Sequence, residues 1–418
     1  MVRMASRLTF GPMMNDIQEG INFQRMREER AEKARQVLKQ EGIPAILVTG
    51  EPNVRYLVGF SWGEFAPSLS YTLFFAEHDP IVFALAGCYH QMPDQAPWIK
   101  EWRIARSWIQ NTAGPQATEE EAQLFAQEIH SELQQRGLAS EKLGIVGFDE
   151  AAREALRKEG LTVVEGWPLL LEASKTKTVD EINCLKMAAS IVGTGWQKFI
   201  DVCRPGMNAG RAHQIVSSAI MEEGADHAEG AIISGPFTFE RNVFLAPRRL
   251  ESGDLAFYPL CGTSYMGYTA CLYRTFKIGQ QPTEKEKGWY DKLRERLDAI
   301  IEATKIGNTT ADAAKFFPPA STWGFKDEVE VLTVEMGHGV GLVGLSPNTV
   351  HYNMPVVNRQ WSLKHPQPFE KGMVIAYESL EGEHRVGGVR LEDMVVITEN
   401  GAEIMDYFPR NEIIVVGV

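Results

Sequence analysis

Two short runs near the C-terminal end limit the fold of this 418-residue chain more than any other feature. Met373–Glu378 reads MVIAYE, and the stretch around Glu392 reads GGVRLEDMVVI. Met373–Glu378 and the Met394–Ile397 end of the second run have the β-branched and aliphatic make-up of buried strands. Each run also carries a glutamate inside an apolar flank. A carboxylate is rarely taken out of water there unless it is paired, hydrogen-bonded or metal-bound. His338 lies 40 residues before Glu378, which lies 14 before Glu392. It sits in GHGVGL, Gly337 to Leu342. Glycines on both sides let neighbouring backbone approach and aim the ring into a cavity. Taken singly, each residue reads as a surface charge or a satisfied core histidine. As a set they are the chain's candidate for a buried site of one imidazole and two carboxylates.

The rest of the chain is organised around two domains, as its length requires. Residues 1–20 show no periodicity and read as an arm. An α/β domain over 21–170 begins with a helix from Asn22 and continues with strands Ala45–Val48, Tyr71–Ala76 and Ile81–Ala86. A helix over Thr118–Arg136, a strand Gly144–Phe148 and a helix from Asp149 complete it. The boundary falls in Trp167–Thr178. The second domain, 175–418, opens with a helix marked by the capping-box pair Thr178 and Glu181. A second helix covers Asn208–Glu223. Ala231–Ser234, Asp254–Leu260 and Tyr268–Ile278 read as strands. Thr283 with Glu286 starts a further helix. Val329–Gly337, Met373–Glu378 and Met394–Ile397 are the remaining strands. Helices followed by long strands of antiparallel character predict an α+β fold.

Composition narrows the partners. A net charge of −13 argues against nucleic acid or an anionic membrane. No apolar run reaches the length of a membrane span. Five cysteines, at 88, 184, 203, 261 and 271, lack disulfide or zinc-finger spacing and fit reduced, cytoplasmic thiols.

The segment GDLAFYPLCGTSYMGYTACLYRTF, Gly253 to Phe276, is similar to the segment GD-(apolar)-DxG-(x)4-GYxSD-x-TRTF. That segment marks the pita-bread family of creatinase, aminopeptidase P and prolidase. GHGVGL, GMVIAYES and RLEDMVVITENGAE follow in the family's order, so the resemblance spans about residues 175–410. It implies a C-terminal pita-bread domain behind a smaller creatinase-like N-terminal α/β domain. Asn53–Gly59 resembles that domain's NxxYLTG signature. His338, Glu378 and Glu392 fall on three of the family's five metal-ligand positions. Leu260 and Cys271 fall on the two aspartates, and leucine supplies no oxygen.

The substitutions set the expectation for mechanism. The chain resembles creatinase and ectoine hydrolase, the non-peptidase branch, which share the fold without the metal site. That resemblance implies a metal-independent hydrolase cleaving a C–N bond of a small polar or zwitterionic solute, with no cofactor. His338, Glu378 and Glu392 are its expected catalytic residues, one glutamate holding a proton beside the other's charge. The alternative is an Xaa-Pro-type metallopeptidase with one divalent ion at His338, Glu378 and Glu392, to which Cys271 can add a thiolate. A second alternative is a binding pseudoenzyme. Asn242 falls where creatinase carries its acid/base histidine, and Tyr273 where it carries a substrate-binding glutamate. Leu260, Cys271, Trp62, Phe65 and His351 complete the expected substrate contacts. Trp62 and Phe65 belong to a loop that faces the partner's site in creatinase-type homodimers, or else packs on its own domain. Cys271 reads as a nucleophile or as a small apolar filler. Arg274 reads as a substrate-carboxylate clamp or a structural partner.

Overall fold

The computed structural model describes residues 3–4, 20–60, 70–87, 89–109, 111–239, 248–331, 336–342 and 353–418. The chain divides into two compact units, Phe23–Ser174 and a second made of Met1–Asn22 with Lys175–Val418. Among residues 1–20, only the strand β1 (Arg3–Met4) and Gly20 are described, and β1 pairs in parallel with a C-terminal strand.

The Phe23–Ser174 unit runs α1 (Phe23–Gln40), β2 (Ala45–Thr49), α2 (Glu51–Val58), β3 (Tyr71–Phe75), β4 (Ile81–Ala84), α3 (Met92–Gln95), β5 (Glu101–Ile104), α4 (Pro115–Gln135), β6 (Lys142–Val146), α5 (Glu150–Lys158), β7 (Thr162–Glu165) and α6 (Trp167–Ser174). Its mixed sheet has the order β5-β4-β3-β2-β6-β7. The inner strands are apolar on both faces because both are covered. Leu47, Leu73, Phe83 and Ile145 pack with Phe125 and Ile129 of α4 and Leu156 of α5. Asp149 caps α5, its carboxylate accepting from the Ala152 N–H at 3.1 Å.

The second unit opens with α7 (Val179–Val202) and α8 (Ala209–Glu222). They are followed by β8 (Ile233–Ser234), β9 (Leu255–Pro259), β10 (Ser264–Tyr265), β11 (Tyr268–Thr269) and β12 (Tyr273–Ile278). After α9 (Glu284–Ala303) and α10 (Thr310–Ala314) come β13 (Met336–Gly339), β14 (Asn353–Val357), β15 (Val374–Glu383), β16 (Gly387–Thr398), β17 (Gly401–Ile404) and β18 (Ile414–Val416). The main path of the large sheet is β14-β13-β15-β16-β12-β9-β8. Both expected capping boxes form, Thr178 with Glu181 on α7 and Thr283 with Glu286 on α9. Ile375, Tyr377, Leu391 and Val395 point from the sheet into a core with Leu293 and Leu297 of α9. Period-two alternation then turns Glu378 and Glu392 to the other face.

Two strand expectations are corrected. Tyr268–Ile278 is not one strand. Met266 and Gly267 take φ of 52° and 77°, so β10 and β11 close a tight hairpin before β12 begins. Val329–Gly337 is a 3₁₀ turn at Glu328–Val331 and a strand from Met336. Side chains hold the turn, since Glu330 accepts from the Lys326 N–H and Asp327 from the Val329 N–H. Among the described residues, no helix is long and apolar enough to cross a membrane.

Candidate functional site

Glu378 on β15 and Glu392 on β16 are direct cross-strand partners, with Met336 beyond Glu378 and Tyr273 beyond Glu392. Directly opposed residues share a face, so the row Met336–Glu378–Glu392–Tyr273 lies along one surface of the sheet. His338, two residues after Met336, joins that surface. All three expected catalytic side chains are buried, with exposures of 1% for His338, 1% for Glu378 and 0% for Glu392.

The histidine is held by its neighbours. A Cβ on Gly337 would lie 2.3 Å from the Tyr377 ring, and one on Gly339 would lie 2.4 Å from the Met354 carbonyl oxygen. Side chains are therefore excluded at both positions. The ladder between β13 and β14 shifts register between His338 and Gly339, a bulge that re-aims the ring. His338 Nδ1 lies 3.1 Å from the Gly339 carbonyl oxygen, which can only accept, so Nδ1 carries the proton. Nε2 then faces Glu392 Oε1 at 3.7 Å.

A thiol pair completes the cluster. The hairpin returns the chain on itself, with Gly262 N–H donating to Ala270 and Leu260 N–H to Leu272. Cys261 thereby reaches the site, and its thiol donates to Glu392 Oε2 at 3.4 Å. The ligand-capable atoms of Cys261, Cys271 and Glu392 all lie within 4.8 Å of one another. Glu392 Oε1 is buried with no hydrogen-bond partner. Burial pushes the Cys271 thiol well above its ordinary pKa, helped by its hydrogen bond with Cys261 and the nearby carboxylates. As a lone nucleophile Cys271 would be poor, because the thiolate is disfavoured.

The remaining expected residues separate. Leu260 is fully buried. Its methyls fill slots beside Gly195 and Gly230, where an added Cβ would come within 3.0 Å of them. It packs between the sheet edge and α7, so its role is apolar filling. Tyr273 is 1% exposed and tilts against Phe257, within the glutamate row. Arg274 is consumed structurally. It donates to the carbonyls of Glu392 (2.8 Å), Tyr273 (2.8 Å) and Pro409 (3.1 Å), and pairs with Asp406 and Asp393. Asn242, Trp62, Phe65 and His351 lie outside the described residues. Cys261 was missed because it is neighbour to the position matched with the family's first aspartate. The available signal was a second cysteine ten residues from Cys271, flanking a Met-Gly turn.

Comparison with known proteins adds the family. Residues 183–399 match metallopeptidase family M24, which covers more than half of the chain, and residues 30–165 match the creatinase/prolidase N-terminal domain. The chain belongs to metallopeptidase family M24. A Bacillus subtilis relative described as an uncharacterized peptidase, YqhT, is 25% identical over 92% of this chain and 99% of its own length. An Xaa-Pro dipeptidase of Pyrococcus furiosus is 28% identical over 54% of this chain and 62% of its own. The solved Xaa-Pro dipeptidase from Bacillus anthracis superposes with a TM-score of 0.72 at 22% identity, covering 93% of this chain and 99% of that one. The M24 pita-bread domain with its creatinase-type N-terminal domain therefore stands.

Two expectations are overturned by these matches. The M24 family is one of metallopeptidases, so the reading as a metal-independent hydrolase without cofactor is withdrawn, and the relatives are peptidases rather than the non-peptidase branch. Leu260 and Cys271 misled because losing two oxygen ligands is not the same as losing every ligand. The residues present do not fit a pair of cations, since Leu260 has no donor atom and is committed to packing. They do fit one cation. Glu392 Oε1 makes no hydrogen bond in a fully buried setting, beside two thiols, a second carboxylate and an imidazole.

Proposed function

We propose that this M24 chain is an Xaa-Pro-type peptidase variant acting on small peptides with a single divalent cation. The observation that carries the reading is the buried row of Glu378 and Glu392 beside His338, in a chain whose relatives are named as Xaa-Pro dipeptidases. A bound cation supplies Lewis acidity toward the scissile carbonyl. The residues do the rest. Glu378, beside Glu392 and away from water, takes a proton from the attacking water and returns it to the leaving amine. His338, its tautomer set by the Gly339 carbonyl, offers Nε2 on the same surface to orient the substrate amide. The apolar shell of Met336, Met394 and Tyr273 keeps bulk water out.

The test is a dipeptide panel, Xaa-Pro against matched Xaa-Ala, assayed before and after chelation and after return of one equivalent of metal. Preferential Xaa-Pro cleavage that disappears on chelation and returns with metal supports the reading. Absence of cleavage by the metal-loaded protein across the panel removes it.

A further inference from the structure

We propose that Cys261, Cys271 and Glu392 form a mononuclear, thiolate-rich site for a zinc-type ion. The site lies on the proposed catalytic surface, so the inference deepens the peptidase reading and names the ion's chemical class and holders. Two observations carry it. The three ligand atoms already lie within 4.8 Å of one another. A tetrahedral site with Zn–S bonds of about 2.3 Å spaces its ligands roughly 3.8 Å apart, so little rearrangement is needed. The Cys261 Sγ to Glu392 Oε2 distance, 3.4 Å, is already of that order.

The second observation is the unfilled valence. Glu392 Oε1 is buried without a hydrogen-bond partner, while Oε2 of the same carboxylate meets Cys261. Such an atom is costly unless something satisfies it. On binding a divalent ion, each thiol gives its proton to solvent.

The donor set selects the metal. Two thiolates favour zinc over the harder Mn²⁺ or Mg²⁺, which prefer oxygen. With three protein ligands the fourth position stays open, the pattern of a catalytic rather than a structural zinc site. His338 Nε2 lies 3.7 Å from Glu392 Oε1. Glu378 is left outside the ligand set.

The experiment uses the full chain, stripped with chelator and reloaded separately with Zn²⁺, Co²⁺ or Mn²⁺. One zinc per chain is expected by elemental analysis. The cobalt form should show an intense near-ultraviolet thiolate-to-cobalt charge-transfer band. Cys261→Ser and Cys271→Ser should each weaken zinc binding at least about tenfold, in line with other losses at metal sites, and diminish that band. Two ions per chain, tighter Mn²⁺ than Zn²⁺ binding, or a cobalt form without the band would overturn the proposal. Should a serine variant fail to fold, the wild-type cobalt spectrum still decides. A thiolate-bound ion without Xaa-Pro cleavage would uphold this site and remove only the peptidase reading. Cleavage by a protein whose cobalt form lacks the band would do the reverse.

Discussion

Glu392 and Asp393 are consecutive, equally buried and charged, yet they face opposite surfaces of one strand and lead different lives. Asp393 meets Arg410 at 2.8 Å and Arg274 at 3.3 Å, and Arg274 also holds Asp406. On that surface each negative charge has a positive neighbour within the fold. Glu392 meets a thiol, a second carboxylate across the strand pair and an imidazole, with no guanidinium beside its carboxylate among the contacts described. Burial alone does not mark a site. What marks it is a buried charge whose compensation is not supplied by the chain.

Substitutions on the two surfaces should therefore separate activity from stability. Glu378→Gln removes the proton carrier without removing volume. Turnover should fall about 10²–10⁴-fold, while the urea midpoint stays near that of the parent; retained turnover would end its role. On the other surface, Arg274→Met leaves Asp406 and Asp393 short of a cation. Breaking a buried pair costs about 3–5 kcal/mol, so the urea midpoint should drop sharply. An Arg274→Met protein of parental stability but without activity would collapse the distinction between the surfaces.

Smaller changes refine it. Gly337→Ala pushes a methyl against the Tyr377 ring, and overpacking of this kind costs about 1–3 kcal/mol. Because the strain bears on His338, KM and kcat should both change alongside the melting temperature. Far from either surface, Thr283→Ala removes the α9 cap at a cost of about 1 kcal/mol. Activity per folded molecule should be untouched, and a change in it would mean that α9 transmits to the glutamate row.

Local physics explains what could be read from the sequence. The two capping boxes needed only residues three apart and appear as expected. MVIAYE could be read as a strand from its apolar make-up, but the face Glu378 takes emerges only with the sheet, where Ile375 and Tyr377 turn to the core and Glu378 away from it. His338, Glu378 and Glu392 could be gathered only because their motifs follow the order of the family the chain resembles; glycines and apolar flanks alone leave each open to a bland reading. Helices α2 and α6 were not anticipated. Glu51–Val58 is short, and Trp167–Ser174 resembles a run of buried strand in its leucines, so neither declares a helical period over so few turns. The hairpin that takes Tyr268 and Thr269 away from β12 depended on positive φ at Met266, which a non-glycine residue seldom announces. Cys261 was hidden for the same reason. Its direction follows from the hairpin and from Gly262, at φ 127°, rather than from its spacing to the glutamates.

The Met266-Gly267 turn has a reach beyond its own residues. Cysteines 261 and 271 sit on its two arms, so their approach needs the closure of a short segment rather than the assembly of distant parts. Short closures carry little entropic penalty. The sulfur donors are thus spaced by the turn, and only the carboxylate must be delivered by the long-range pairing of the sheet. A clip of this kind can be altered residue by residue while the surrounding architecture stays fixed, which makes the identity of the bound ion an adjustable property of one small loop.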